Sequence, residues 1–522
     1  MKNADLALIN GNIITISPSK PQAQAIAIKN ETIIEVGTNK EIQLYIGKNT
    51  KVINLDGKTV VPGFIDTHVH VIEFGRSLAS INLRDAQSIK EVQETLKKRV
   101  EETSKEKWIT GHGWDQERFI EKRYPTRWDL DQISPNNPVI LNRVCGHVCI
   151  INSKVLEIAN ITKETTPPPG GKIDKDPKTD EPTGILRENA MDLVWKSMPP
   201  PSEEELIEAA SLACEQAMKA GITTLHWLIH LPNEVHVIQK LRKQHKLPLR
   251  VYIVIPAEHS DHLIDLGLHT GFGDNIVKIG SIKILADGSL GARTEALHEP
   301  YSDEPSTKGM MLYSQEKLNK LVAKVHKADL QLAIHAIGDR ATDMALTALE
   351  KALKEAPRKS HRHRIEHASV LDEGLIQRMK KLEVVASIQP HFIISDFWVI
   401  DRVGPKRARW VYPFKTLIKE GIWPIGGSDC PVEPISPLLG IYAAVARESF
   451  PEERITVDEA LRMYTVNAAY SSFEENIKGA IEAGKLADLV VLSEDPNKIP
   501  PSKIKDVKVK MTIVGGKVVY TS

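Results

Sequence analysis

The sequence predicts an α/β fold: a (β/α)8 TIM barrel, with a composite β-sandwich made from both chain ends and a large insertion after barrel strand 1. Three observations predict it. The middle of the chain alternates short apolar runs with helical periods, the pattern of parallel β/α units. Both ends are rich in short β runs instead. The first two barrel strands also stand roughly 150 residues apart, far beyond an ordinary βα connection.

At 522 residues the chain exceeds the usual ceiling for a single core, so several domains are expected. Residues 1–62 read as strands between Gly and Asn turns, in LALI, NIITI, AIAIK, TIIEVG and KTVVP. Residues 470–522 repeat that texture in GKLADLVVLS, VKVKMTIVGG and KVVYTS. The two ends are expected to pair into one sandwich; two separate small β domains are the alternative that composition leaves open. Residues 63–80 with 205–469 supply the barrel. Its eight strands fall at 64–71, 221–228, 249–255, 277–285, 330–337, 363–370, 384–391 and 423–429. Helical periods separate them, as in EELIEAASLACEQAMKA and TDMALTALEKALKEA. Residues 81–204 form the inserted subdomain, expected over the active-site mouth because it follows the C-terminal end of a strand. Within it, TTPPPGGKIDKDPKTDEPTG reads as an exposed loop.

Composition narrows the function class. Positive and negative residues balance at 68 each and no basic stripe stands out, so no nucleic-acid partner is expected. No apolar run reaches membrane-spanning length, and Asp5 and Asn10 interrupt the start where a secretory leader would be apolar. Cys145, Cys149, Cys214 and Cys430 form neither C-x-x-C pairs nor a dense framework, as expected of reduced thiols in a cytoplasmic protein. A small-molecule substrate is expected; the oligomeric state stays open, a homo-oligomer included.

Six candidate metal ligands close or follow the barrel strands: His68 and His70 in FIDTHVH, Lys283 in IKILADGSLG, His335 in LAIHAIGD, His367 in HRIEHAS and Asp429 in GGSDCP. They belong to strands one, four, five, six and eight, whose C-terminal ends carry the active site of such a barrel. Strand side chains alternate faces, so the two histidines of H-x-H point the same way and can grip one ion. Lys283 shares a face with Ser281 and Leu285, whereas Lys278 has the opposite parity. A protonated lysine repels a metal, but carbon dioxide converts its neutral amine into a bridging carbamate, and burial favours that neutral form. A salt bridge from Lys283 to Asp287 is the alternative. Candidate substrate-binding residues are Trp114, Asp115 and His147 in the insertion, Arg293 after strand four and His391 after strand seven. Each has a plain alternative, such as a core indole for Trp114 or a rim ion pair for Arg293. His226 on strand two is a packing residue or a pocket residue.

The motifs VPGFIDTHVH, GHGWDQERF, RVCGHVCIINS, PTGILRE, IKILADGSLGARTEAL, AIHAIGDRA, RIEHAS, GGSDCPV and GKLADLVVLS resemble those of the amidohydrolase superfamily along nearly the whole chain. The branch is that of the N-substituted formamide deformylases, amidohydrolase family 3. The resemblance implies a binuclear centre in which His68 and His70 hold one divalent ion and His335 and His367 the other. Carboxylated Lys283 would bridge them, and Asp429 would bind the first ion and act as the catalytic proton carrier. Zinc is the expected metal, with manganese, iron or cobalt as alternatives. The expected activity is hydrolysis of a non-peptide C–N bond, a linear amide such as an N-substituted formamide or N-acyl amine. Tryptophans in the insertion suggest an apolar substituent. Ester, lactone or cyclic-amide hydrolysis on the same site is the enzymatic alternative, and a noncatalytic regulatory or binding protein is the alternative of another class.

Overall fold

A computed structural model describes residues 3–143 and 148–522. The chain forms two compact units, Met1–Ile72 with Ala213–Ser522, and Glu73–Leu212.

The first unit contains the barrel. Its eight parallel strands, numbered here β1 to β8, are Phe64–Val69, Ile222–Leu228, Arg250–Pro256, Val277–Leu285, Gln331–Ala336, Arg364–His367, Val385–Ile388 and Ile425–Gly426. They neighbour one another in sequence order. The ring closes where β8 runs back to β1: Thr67 Oγ1 donates to the Gly426 carbonyl at 3.0 Å, and Val69 bridges Cys430. All eight fall on the expected apolar runs, because strands covered by helices on one side and packed inside on the other are apolar on both faces. The helices Gln315–Lys327 and Asp339–Glu355 show the complementary pattern, with buried residues three and four apart.

The ends of the chain do meet. A six-stranded sheet runs Lys517–Thr521, Val509–Val514, Leu489–Leu492, Thr59–Pro62, Asn12–Ile14, Gln22–Ala23 in spatial order. Leu489 to Leu492 pair antiparallel with Pro62 to Thr59. A second sheet orders Thr32–Gly37, Ala25–Lys29, Leu6–Ile9 and Lys51–Asn54. Leu6, Leu8, Ile26 and Ile28 of this sheet pack with Ile13, Val60, Leu489 and Ile513 of the other. Burying that shared apolar face at about 25 cal/mol per Å² is what joins the two ends.

The second unit is built on a six-stranded mixed sheet in which Val139–Arg143 lies between Ile109–Trp114 and Val148–Ile151. Alternation along these strands supplies two cores. Val139, Leu141 and Ile150 face the helix Ile89–Glu102, while Ile140, Cys149 and Ile151 face Val155, Leu156 and Val194. One expectation is corrected here. The stretch 165–184 is not all loop: Gly171–Lys175 pairs antiparallel with Pro182–Glu188 at the edge of this sheet. Residues 165–170, and the turn between the two strands, where Asp176 Oδ1 accepts from the backbone of Lys178 and Thr179, behave as the Gly, Pro and Asp content suggests. Pro182 is tolerated because it is the first residue of its strand, so composition alone misleads.

Candidate metal centre

β1 delivers His68 and His70 to one side, as alternation requires, and β8 ends beside them. Asp429 N donates to the His68 carbonyl at 2.8 Å and His70 N to the Cys430 carbonyl at 2.9 Å, which locks the two strand ends together. Asp429 Oδ1 then lies 3.1 Å from His70 Nε2 and 3.4 Å from His68 Nε2. Lys283, near the end of β4, reaches His68 Nε2 with its Nζ at 3.1 Å. The His367 ring from β6 sits 5.1 Å from that of His68 and 4.4 Å from that of His335 on β5, centroid to centroid. All six candidate ligands thus occupy one end of the barrel.

The backbone is bent to achieve this. His367 and Asp429 have φ of 74° and 57°, the left-handed region that ordinary side chains avoid. A regular strand would send His367 away from Glu366's face; the reversal at the strand end turns its ring back toward His335.

Each imidazole is held by the nitrogen that does not face the centre. His68 Nδ1 donates to Glu366 Oε2 at 2.6 Å, and His367 Nδ1 to Gln389 Oε1 at 2.7 Å. His335 donates from Nε2 to the Gly288 carbonyl at 2.8 Å, leaving Nδ1 as its free lone pair. Glu366 is anchored in turn by Arg364 Nε at 2.7 Å and Ser387 Oγ at 2.8 Å. Arg364 also donates to Thr67 O and to His226 Nδ1, both at 2.8 Å. This layer fixes tautomer and ring orientation, as metal-binding histidines require.

The electrostatics agree. Burial holds His68 down at about 4 and His335 at about 3, and pushes His367 well below the usual range, so all three are neutral with lone pairs available. Desolvation lowers the Lys283 ammonium to about 8, bringing neutral amine within reach of ordinary pH. Burial works to raise Asp429, but the hydrogen bond with His70 Nε2 favours the carboxylate, and the carboxyl lies below its ordinary range. Four imidazoles, an ionised carboxylate and an easily deprotonated amine are a donor set that fits two divalent cations.

The other sequence candidates scatter. Trp114 is fully buried in the core of the second unit, its Nε1 donating to the Leu141 carbonyl at 2.8 Å, so it fills that core. Asp115 pairs with Arg143 at 2.6 Å. Arg293 pairs with Asp303 at 2.8 Å on the loop after β4, the rim ion pair weighed for it. His391 pairs with Glu433 after β7 and β8. His147 and Cys145 lie outside the described residues. His226 is buried beneath Arg364, against the Tyr252 ring, as packing. Lys278 points to the far end of the barrel and pairs with Glu474 at 2.9 Å. Asp287 spends its oxygens on the backbone of Ala296, Ile337 and Gly338.

Sequence reasoning missed Glu366, Arg364, Gln389 and Asp66. Asp66 Oδ1 accepts from Ser428 N at 2.9 Å and His68 N at 3.2 Å, and burial raises its carboxyl to about 7. Their signal was present but faint: ionisable or amide side chains inside runs otherwise reading as buried strand.

Residues 51–520 match the model of the amidohydrolase family. The chain is 36% identical to YtcJ of Bacillus subtilis (strain 168), covering 98% of each chain. It is 28% identical to an N-substituted formamide deformylase of Arthrobacter pascens, covering 99% of this chain and 98% of that one. The crystal structure of a metal-dependent hydrolase from Pyrococcus furiosus superposes with a TM-score of 0.81 at 34% identity, covering 94% of this chain and all of the other.

Proposed function

The chain belongs to the amidohydrolase family and is a metal-dependent hydrolase acting on C–N bonds, and from that premise we propose that its substrate is a linear amide, an N-substituted formamide or N-acyl amine. The ligands of the proposed centre are His68, His70, Lys283 as its carbamate, His335, His367 and Asp429. When bound, a pair of divalent ions, zinc by default, would polarise the scissile carbonyl and make water more acidic.

The chain's own residues do the rest. Asp429, ionised among three imidazoles, accepts a proton from the attacking water and returns it to the leaving nitrogen. Glu366 and Gln389 keep His68 and His367 from rotating during that transfer. The observation that carries the reading is the Asp429 carboxylate placed 3.1 Å from His70 Nε2 and 3.4 Å from His68 Nε2, beside the candidate ligands where a proton carrier is needed. The choice of a linear amide is supported by the likeness to the deformylase over nearly its whole length.

A panel of linear amides, esters, lactones and cyclic amides, assayed with protein of defined metal content, tests this. Linear amides are expected to show the highest kcat/KM. Preference for an ester, lactone or cyclic amide would move the reading to that substrate class, and no turnover of any would favour a binding protein on the same scaffold.

A further inference from the structure

Phe392 opens the short helix Phe392–Ser395 that follows β7. Its ring lies within 18° of parallel to the His367 imidazole, with centroids 6.3 Å apart. Neither metal ligation nor proton transfer requires a benzene ring there, and the ring is only half-buried, so no core claims it. The apolar surface continues along the same segment. Ile394 and Ile400 are exposed, and Phe397 is 81% exposed.

The loop after β4 adds exposed Met310 and Leu312. Hydrogen bonds tie the two segments together. Arg402 donates to the Gly291 carbonyl at 3.1 Å and to Asp303 at 3.0 Å, and Ser302 N donates to the Arg402 carbonyl at 2.8 Å. The Trp398 ring lies close to Gly291, 3.7 Å from where a Cβ would stand, an ordinary contact distance. Large exposed apolar side chains are unremarkable singly. Five lie on two hydrogen-bonded segments, one of which also places a ring beside a candidate ligand.

We propose that Phe392 is a specificity-determining residue, whose ring and the apolar wall behind it receive an apolar substituent of the substrate. This rests on the amide-hydrolase reading and names its substrate class. Position singles out the substrate as occupant: Phe392 lies beside His367, and its segment and the loop after β4 both follow strand ends of the barrel end that carries the ligands.

The test separates binding from turnover. Straight-chain alkylamines and carboxylates, the two products an alkyl amide can release, are titrated calorimetrically into the metal-replete full-length protein. In one series, Kd is expected to tighten about fourfold per added methylene. Phe392→Ala is expected to reduce that step below twofold. Phe392→Gln, which keeps length but removes apolar surface, decides the matter should the alanine variant misfold. A step below twofold in both series of the wild type, or an unchanged step in a folded variant, overturns the proposal. Graded binding without hydrolysis of any amide would keep the wall and remove the hydrolase reading; hydrolysis with flat binding would do the reverse. A dimer seen by sedimentation that Phe397→Ser dissociates, together with flat binding, would assign the wall to a second copy of the chain and overturn the proposal.

Discussion

Holding His367 and Asp429 at positive φ is worth on the order of 1 kcal/mol or more of strain at each, which the fold tolerates because both rims are pinned by neighbouring strands. That strain places side chains where strand parity would not. Asp429→Asn keeps the size of the side chain but cannot carry the proton. Its kcat is expected to fall about 10²–10⁴-fold with metal content retained; elemental analysis alongside steady-state kinetics would show it, and an unchanged kcat would remove Asp429 from proton transfer. Glu366→Gln tests the layer beneath. It leaves the Arg364 guanidinium buried without its counter-charge, so unfolding free energy is expected to drop by about 3–5 kcal/mol. With His68 less firmly oriented, metal affinity should fall about 10–100-fold. A denaturant titration and a competitive chelator measure the two effects. At this scale the six ligand candidates were readable because each ends an apolar run in a recognisable motif. Glu366 was not, since its partner His68 lies 298 residues away and no local pattern announces the pair. Trp114 was equally opaque: an indole suits a pocket or a core, and only three-dimensional packing with Tyr124 and Leu141 decides.

The barrel strands were legible because burial on two sides leaves a sequence little choice but Val, Ile, Leu and Ala. The hairpin 171–188 was not, because its edge strand Gly171–Lys175 needs no such run. Another element hides a titration. Before β6, the rings of His361 and His363 lie 4.5 Å apart, tilted by 31°, and His363 meets His326 of the helix Gln315–Lys327. Their tautomers are dictated by the backbone. His363 Nδ1 accepts from Leu332 N and His361 Nδ1 from His363 N, each at 3.0 Å, while the opposite nitrogens donate. A proton added to either Nδ1 would face an N–H, and Arg358 adds repulsion to the burial that holds His361 at about 4. The folded value lies below the unfolded one of 6.5, so the unfolded chain binds the proton first as pH falls. Stability should therefore be full above pH 6.5 and decline down to about pH 4, by on the order of 3 kcal/mol from His361. Urea midpoints across that range would reveal the decline, and His361→Gln should flatten part of it; a flat wild-type profile would refute the assignment.

The whole molecule is stitched by a pairing that composition left open between one sandwich and two small domains. Arg250 at the start of β3 makes two hydrogen bonds to Asp488, at 2.7 and 2.9 Å, and Asp488 also accepts from Gly515 N. This buried pair fastens the C-terminal strands to the barrel floor. Asp488→Asn is expected to lower unfolding free energy by about 3–5 kcal/mol, read from denaturant midpoints, because it strands the arginine; a midpoint within error of the wild type would mean the pair holds nothing. The pairing of Thr59–Pro62 with Leu489–Leu492 has a further consequence during synthesis. At about 5–20 residues per second, a ribosome would display the early strand for roughly 20 to 90 s before its partner exists. Through that interval the nascent chain carries an unmated sheet edge of Val60 and Val61, open to wrong neighbours. Yield in a cell should depend on chaperones that occupy such an edge until translation ends.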